Sequence, residues 1–437
     1  MNIAIIGGGF AGLTAANELL KAGQQVTLFE AAPQLGGLAA GFRAEGWDWH
    51  LEKFYHHIFT TDNAIIRLAR EIGAADLLTY HKQITAFFCP EHGAHEVSIP
   101  GILTFPHLPF IDRLRYGLSL AQLKVRSDWQ RLERTTAERE LRRWAGPRAY
   151  KQYWEPLLVG KFGPYASEVN AAWIWARVKT RSFQLGYFKG GFQAFADALG
   201  AYVTARGGVI HTACPVERIE RTEGGWTVQT SAGGQPFDRV IVASAPGVLT
   251  QLVPELPQEY ARKLSALKSI GAVVMVAALK HQLLTNGVYW YMPPQDTFPY
   301  LALVEHTNMA DPRHYGGDRL IYCGDYLPTD HRYFTMPDAE VTQEWLATLA
   351  QVNPAFRPEW VKQTWLFRER YAQPVVPVNH SQNVPSLRTP LDGLFFASLA
   401  HVYPWDRGTN FAVELGQRVA EAVLTTPRPL AAHTPTR

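Results

Sequence analysis

Residues 1–40 read MNIAIIGGGFAGLTAANELLKAGQQVTLFEAAPQLGGLAA, and this stretch decides the fold. Asn2-Ile3-Ala4-Ile5-Ile6 is apolar without polar alternation, the pattern of a strand buried on both faces in a parallel sheet. Glycines follow at once, residues 13–22 have helical character, and Gly23 is a C-terminal stop. Residues 25–29 form a second strand ending on Glu30. The result is a βαβ unit with G-x-G-x-x-G at Gly7, Gly9 and Gly12 and an acid about 20 residues on. Gly7 allows the tight turn, Gly9 lets the backbone approach a pyrophosphate, and Gly12 lets the helix press on the strand. The helix N-terminus, with Phe10 and Ala11 in its first turn, offers N–H groups and a partial positive charge to phosphates. Glu30 is placed to accept hydrogen bonds from ribose hydroxyls.

A second glycine pair follows in Ala31-Ala32-Pro33-Gln34-Leu35-Gly36-Gly37-Leu38. Here the chain resembles the flavin-dependent amine oxidase, protoporphyrinogen oxidase and phytoene desaturase superfamily, in which this pair lies along bound FAD. The resemblance implies contacts from Ala31, Gly36, Gly37 and Leu38. The family's Arg before the glycines is replaced here by Pro33-Gln34.

The chain has 437 residues, 47% hydrophobic and 19% charged, which suits two or three structural units sharing a large core. Thirteen Trp, 18 Tyr and 22 Phe suit the enclosure of a flat aromatic cofactor. A net charge of +3 argues against nucleic acid. Three scattered cysteines and no C-x-x-C argue against a disulfide framework or a metal site. With a strand at the N-terminus and no long apolar run, the expected location is cytoplasmic. Residues 111–151 are helical in pattern, with Asp112 as N-cap and Gly146-Pro147 as the stop. They carry 11 Lys/Arg against 5 Asp/Glu, either a solvated face or a surface that meets anionic lipid or an acidic substrate.

Further along, residues 84–89 and 96–99 read as strands around a turn at 91–93, and 154–182 as helices and loops capping a cavity. Residues 187–192 lead into an amphipathic helix over 193–206. The strand 209–211 follows, and then a hairpin pairs 226–228 with 237–242. In the resembling family this segment returns to the FAD domain and places Val216 beside the adenine. Strands at 272–280, 288–292, 300–306, 320–326 and 365–371 would form an antiparallel sheet. The strand 393–398 leads to Asp406-Arg407-Gly408-Thr409-Asn410-Phe411, which opens a last helix. The resemblance implies that this helix N-terminus, with Thr409, Asn410 and Phe411, meets the flavin pyrimidine edge. The family's Gly then Asp or Glu after the strand is Ser398-Leu399 here.

The expected fold is α/β (α+β overall): a Rossmann-like FAD-binding domain with an inserted substrate domain of antiparallel sheet plus helices. The FAD domain would comprise 1–83, 187–250 and 386–427, with a helical substrate region at 84–186, a substrate sheet at 251–385 and a disordered tail at 428–437. The resemblance implies an FAD-dependent oxidoreductase taking hydride from a C–N or C–C bond of a small organic substrate. Lys53-Phe54-Tyr55-His56-His57-Ile58-Phe59 also looks like the flavin-side loop of UDP-galactopyranose mutases, which leaves a non-redox sugar-nucleotide mutase as the alternative. A pocket is expected between His56 and His57 on the flavin side and Glu305 and His306 on the substrate side. Those four are the candidate catalytic groups, with histidines able to titrate near neutral pH. Tyr55, Tyr403 and Trp405 are candidate substrate walls.

Overall fold

The computed structural model describes residues 1–89, 93–105, 108–294 and 296–427; part of the expected turn at 91–93 and all of the expected tail lie outside them. Five short parallel strands form the first sheet, in the order Val209–His211, Gln25–Phe29, Asn2–Ile6, Arg239–Val242, Leu394–Phe396. Asn2–Ile6 lies at the centre, and its alternation explains its uniform apolarity. Ile3 and Ile5 enter the main core with the helices Phe10–Lys21 and Thr409–Thr425, whereas Ala4 and Ile6 face a second core. That second core includes Trp226, Val228 and Phe237 of a three-stranded antiparallel ribbon. This is the expected α/β dinucleotide architecture.

The second sheet has seven strands, in the order Val361–Pro374, Ser269–Leu279, Arg319–Leu327, Ala302–Glu305, Val288–Met292, Ile84–Cys89, Gly93–Glu96. Every residue of Ser269–Leu279 after Ser269 is buried. Val274, Val276 and Ala278 join the main core, while Val273, Met275, Ala277 and Leu279 join a third core with Trp345. A two-residue period with apolar cover on both faces therefore reads as one unbroken apolar run. Helices between 99 and 180 build a further core around Tyr153, Trp154 and Trp173.

Several local expectations change. The sheet is not wholly antiparallel, because Val288–Met292 pairs in parallel with Ile84–Cys89. The strand expected at 96–99 ends at Glu96, and Ser98 caps a helix, Ile99–Thr104, by accepting from the Gly101 N–H. Residues 239–242 do not complete a hairpin; they join the parallel sheet beside Asn2–Ile6. Asp112 is not an N-cap, since its helix spans Phe110–Val125 after Pro109, and Asp112 instead accepts from Arg148 at 3.4 Å. Pro147 opens the next helical turn rather than closing the run, because proline suits the first helical position. Among the described residues no helix is long and apolar enough to cross a membrane.

Candidate active site

A cavity of about 1870 Å³ runs between the first sheet, the second sheet and the helical layer. A site for one drug-sized ligand is usually about 300–1,000 Å³, so this space accommodates a cofactor and a substrate together. It opens where Asn2–Ile6 and Gln25–Phe29 end, at Gly7 and Glu30, the carboxyl edge where open parallel sheets bind ligands.

At this end the two glycine segments lie side by side. The Gly36 N–H donates to the Gly8 carbonyl at 2.9 Å, and Gly9 bridges Gly36. A Cβ on Gly12 would stand 1.9 Å from the Gly7 oxygen, so Gly12 serves helix-on-strand packing and does not line the cavity. A Cβ on Gly9 would meet nothing nearer than Gly37 Cα at 3.8 Å, which leaves its backbone open to the cavity. The Glu30 carboxylate accepts from the Gly8 N–H at 2.6 Å and from the Ala32 N–H at 2.8 Å, so the carboxylate is fixed at the cavity wall. Phe10, Ala11, Ala31, Gly36, Gly37, Leu38 and Val216 line the same end.

At the other end stand Tyr55, His56 and His57, with Thr409 and Phe411 from the start of the last helix. His56 Nδ1 donates to the Phe54 carbonyl at 2.6 Å, which leaves Nε2 as an acceptor in the neutral ring. Burial lowers the His56 pKa to about 4. Burial, then Arg181 and His56, lowers that of His57 to about 3. Both imidazoles are neutral at pH 7, contrary to the expectation of titration near neutrality. Burial raises the Tyr55 hydroxyl to about 12. Two buried polar atoms on this wall, His57 Nδ1 and Thr409 Oγ1, have no hydrogen-bond partner among the described residues.

The structure does not bring Glu305 and His306 to this cavity. Glu305 shares the parity of Leu303, which packs in the third core on the far side of the sheet. Its carboxylate accepts from the Leu283 and Leu284 N–H groups at 3.1 and 3.0 Å and from Thr307 at 3.0 Å, tying down a loop. His306 is buried against Tyr187, with Nε2 bonded to the Tyr315 hydroxyl at 2.9 Å. Asn410 also turns away, accepting from the Ala64 and Ile65 N–H groups at 2.9 and 3.2 Å and so capping the helix Asn63–Glu71. Tyr403 donates to Glu133 at 2.9 Å, and Trp405 stacks between Trp175 and Phe411, so both act behind the wall.

The sequence pattern of the family described as "Flavin containing amine oxidoreductase" matches residues 10–424. The chain belongs to this family. The protein named "Probable zeta-carotene desaturase" of Synechococcus elongatus is 24% identical, the match covering 97% of this chain and 98% of that one. Cyclohexylamine oxidase from Brevibacterium oxydans superposes with a TM-score of 0.70 at 17% identity, over 97% of this chain and 98% of the other. Reduced UDP-galactopyranose mutase superposes with a TM-score of 0.76 at 15% identity, over 99% and 97%. These structures share the fold. The chain is a flavin-dependent oxidoreductase in architecture and family.

The cavity fits such a cofactor on two observations: the glycine cradle that a Cβ at Gly9 would fill, and the two orphaned polar atoms at the far end. The sequence reading missed a basic group at that far end, Lys161, Arg177, Arg181 and Arg407 with the carboxylate of Asp406. One signal was present, because Lys161 interrupts the apolar run Leu157-Leu158-Val159-Gly160 before Phe162.

Proposed function

We propose that the protein holds FAD without a covalent link and takes a hydride from a C–N or C–C bond of an organic substrate bound in the same cavity. The observation that carries this reading is one continuous cavity with a dinucleotide cradle at one end and a polar, partnerless wall at the other. Bound flavin supplies the hydride acceptor. Gly9, Phe10 and Ala11 present backbone N–H groups to the phosphates, and Glu30 accepts from the ribose. The N-terminus at Gly408–Thr409 stabilises negative charge at the ring edge, and Thr409 Oγ1 is free to donate there. Neutral His56 offers an acceptor and neutral His57 a partnerless ring nitrogen, so these residues orient the substrate's polar atom without adding charge. Cys is absent from the described lining, which leaves no thiol for a thioether tether.

Acid precipitation tests the link: the yellow colour stays in the supernatant, and colour held in the pellet refutes it. Anaerobic mixing with candidate substrates tests the chemistry. Bleaching of the flavin supports hydride transfer, whereas turnover of a sugar nucleotide by pre-reduced protein without flavin oxidation establishes the mutase alternative.

A further inference from the structure

We propose that Lys161, Arg177, Arg181 and Arg407 form a binding site for an anionic group of the substrate, a carboxylate or a phosphate. This rests on the reading above, that the substrate occupies the cavity alongside FAD. All four side chains line the cavity. Lys161 is only 7% exposed, and its ammonium makes no hydrogen bond or ion pair among the described residues; it sits 4.0 Å above the Tyr326 ring. Arg407 lies over the same ring at 4.8 Å and donates to Gln373 at 2.9 Å. Among the described residues the Arg181 side chain has no hydrogen-bonding partner. Asp406 is the one carboxylate ion-paired with the group among the described residues, at 3.3 Å from Arg177. That carboxylate is already shared with Trp173, Gln373 and the Arg407 N–H.

Four basic side chains around one ion-paired carboxylate are costly to keep charged in a desolvated place unless a ligand anion completes the group. The strain is visible in the group itself. Burial, and then repulsion from Arg407 and Arg177, pushes the Lys161 ammonium well below its ordinary value. Burial and Arg177 lower Arg181 to about 9. After burial, Arg181, Arg177 and Lys161 also depress His57, so the anionic group would lie beside the histidine wall. A simple alkyl ammonium substrate would be repelled there.

The test uses two probes with one apolar body and opposite charge, phenylbutyrate and phenylbutylamine, titrated calorimetrically into the FAD-loaded protein. Phenylbutyrate is expected to bind at least about tenfold tighter, the discrimination of one charge-assisted bond. Lys161→Gln and Arg181→Gln, made separately so that one misfolded variant does not end the test, should each reduce that preference while FAD stays bound. Equal or tighter binding of the amine, no heat with either probe, or a preference that survives both substitutions overturns the proposal. A protein purified without flavin would instead overturn the FAD reading, and the calorimetric comparison would still decide the anion site.

A separate observation carries a second inference. The helix Phe110–Val125 buries Tyr116, Ser119 and Leu123 but turns Ile111, Leu118 and Val125 outward at 76%, 71% and 77% exposure. With Leu114 and Ala121 these positions fall at alternating three- and four-residue spacing, one apolar stripe along the outer face. Gly117 and Ala121 of this helix line the cavity, as do the exposed Leu103 and the 80% exposed Phe183, so the stripe borders the cavity mouth. Residues 111–151 carry 11 Lys/Arg against 5 Asp/Glu. We infer that this face docks on an anionic phospholipid surface, from which a substrate with an apolar body enters directly.

Co-sedimentation with vesicles of phosphatidylcholine and phosphatidylglycerol tests this. The protein should pellet with the vesicles, and Ile111→Ser with Leu118→Ser should weaken that partition at least about tenfold. Wild-type protein that stays in the supernatant, or a variant that partitions equally, overturns the inference. So does a dimer on size exclusion that the same substitutions split, which would assign the stripe to a second copy of the chain.

Discussion

Gly9→Ala separates cofactor binding from folding more cleanly than any other change in the glycine motif. The Gly9 backbone, at φ −73° and ψ 175°, lies where any residue is comfortable. The nearest atom to an added Cβ is Gly37 Cα at 3.8 Å, an ordinary contact. The apo-protein should therefore be as stable as wild type, or more stable by about 0.4–1 kcal/mol, because alanine restricts the unfolded chain. The neighbouring glycines behave differently. A Cβ at Gly12 would lie 1.9 Å from the Gly7 oxygen, and Gly7 itself has φ +114° with Ala243 O 2.4 Å from the position of a Cβ. Alanine at either would damage the fold.

The Gly9 methyl projects into the cradle that a pyrophosphate would occupy. Displacing the phosphate costs one charge-assisted hydrogen bond to an amide, about 1.5–3 kcal/mol, or about 10–150-fold in affinity for FAD. Thermal unfolding of the apo-protein and the flavin-to-protein absorbance ratio across an FAD titration read the two effects separately. Wild-type affinity for FAD in Gly9→Ala would refute the placement of the pyrophosphate. A large loss of apo stability would refute the packing argument.

His57→Ala should slow anaerobic flavin reduction and spare FAD binding. With His56 and His57 held at about 4 and about 3, the wild-type rate should show no imidazole inflection between about pH 5 and 8, and one there would show that these rings titrate in the complex. Glu30→Gln should weaken FAD retention by about 1.5–3 kcal/mol with little change in flavin potential, and equal affinity by titration would remove Glu30 as the ribose ligand. Burial raises Glu305 from 4.5 to about 7, so the folded state favours the protonated acid; its contribution is full below about pH 4.5 and is lost as pH rises through 7. Relative to wild type, Glu305→Gln should gain up to about 3 kcal/mol between pH 4 and pH 8, and a pH-independent difference in unfolding free energy would refute this.

What could be read from the sequence was set by how local each feature is. Gly7 to Gly12, Glu30 and the pair Gly36-Gly37 act through backbone geometry within one βαβ unit, so spacing alone exposes them. Glu305 and His306 sit at a strand end that was correctly located, but their use depends on which face of the sheet the cavity adjoins. The apolar run before them carries no such mark, because the sheet has apolar cover on both sides. Asn410 follows the same logic. It stands in the first turn of the helix expected at the flavin, yet its carbonyl oxygen is committed to capping another helix 346 residues away in sequence.

The basic group shows why the substrate end was hardest to see. A flavin performs its own redox chemistry, so the protein needs no nucleophile, triad or metal-ligand set that would leave a short motif. What the protein contributes there is charge and shape. The contributors, Lys161, Arg177, Arg181 and Arg407, come from separate parts of the chain and meet only after the helical layer closes on the two sheets. The single residue that betrays the site in the sequence is Lys161, a charge inside an apolar helix. A buried lysine normally has a carboxylate partner within bonding distance, and here its neighbours are three arginines, a tyrosine ring and the Asp406 carboxylate, which is ion-paired with Arg177 instead. The imbalance sits at the end of the cavity where His57 Nδ1 and Thr409 Oγ1 also lack partners among the described residues. Unmet charge and unmet hydrogen bonds thus coincide at one wall, and this coincidence is the reason for proposing that substrate is selected there and the cofactor held at the glycine cradle.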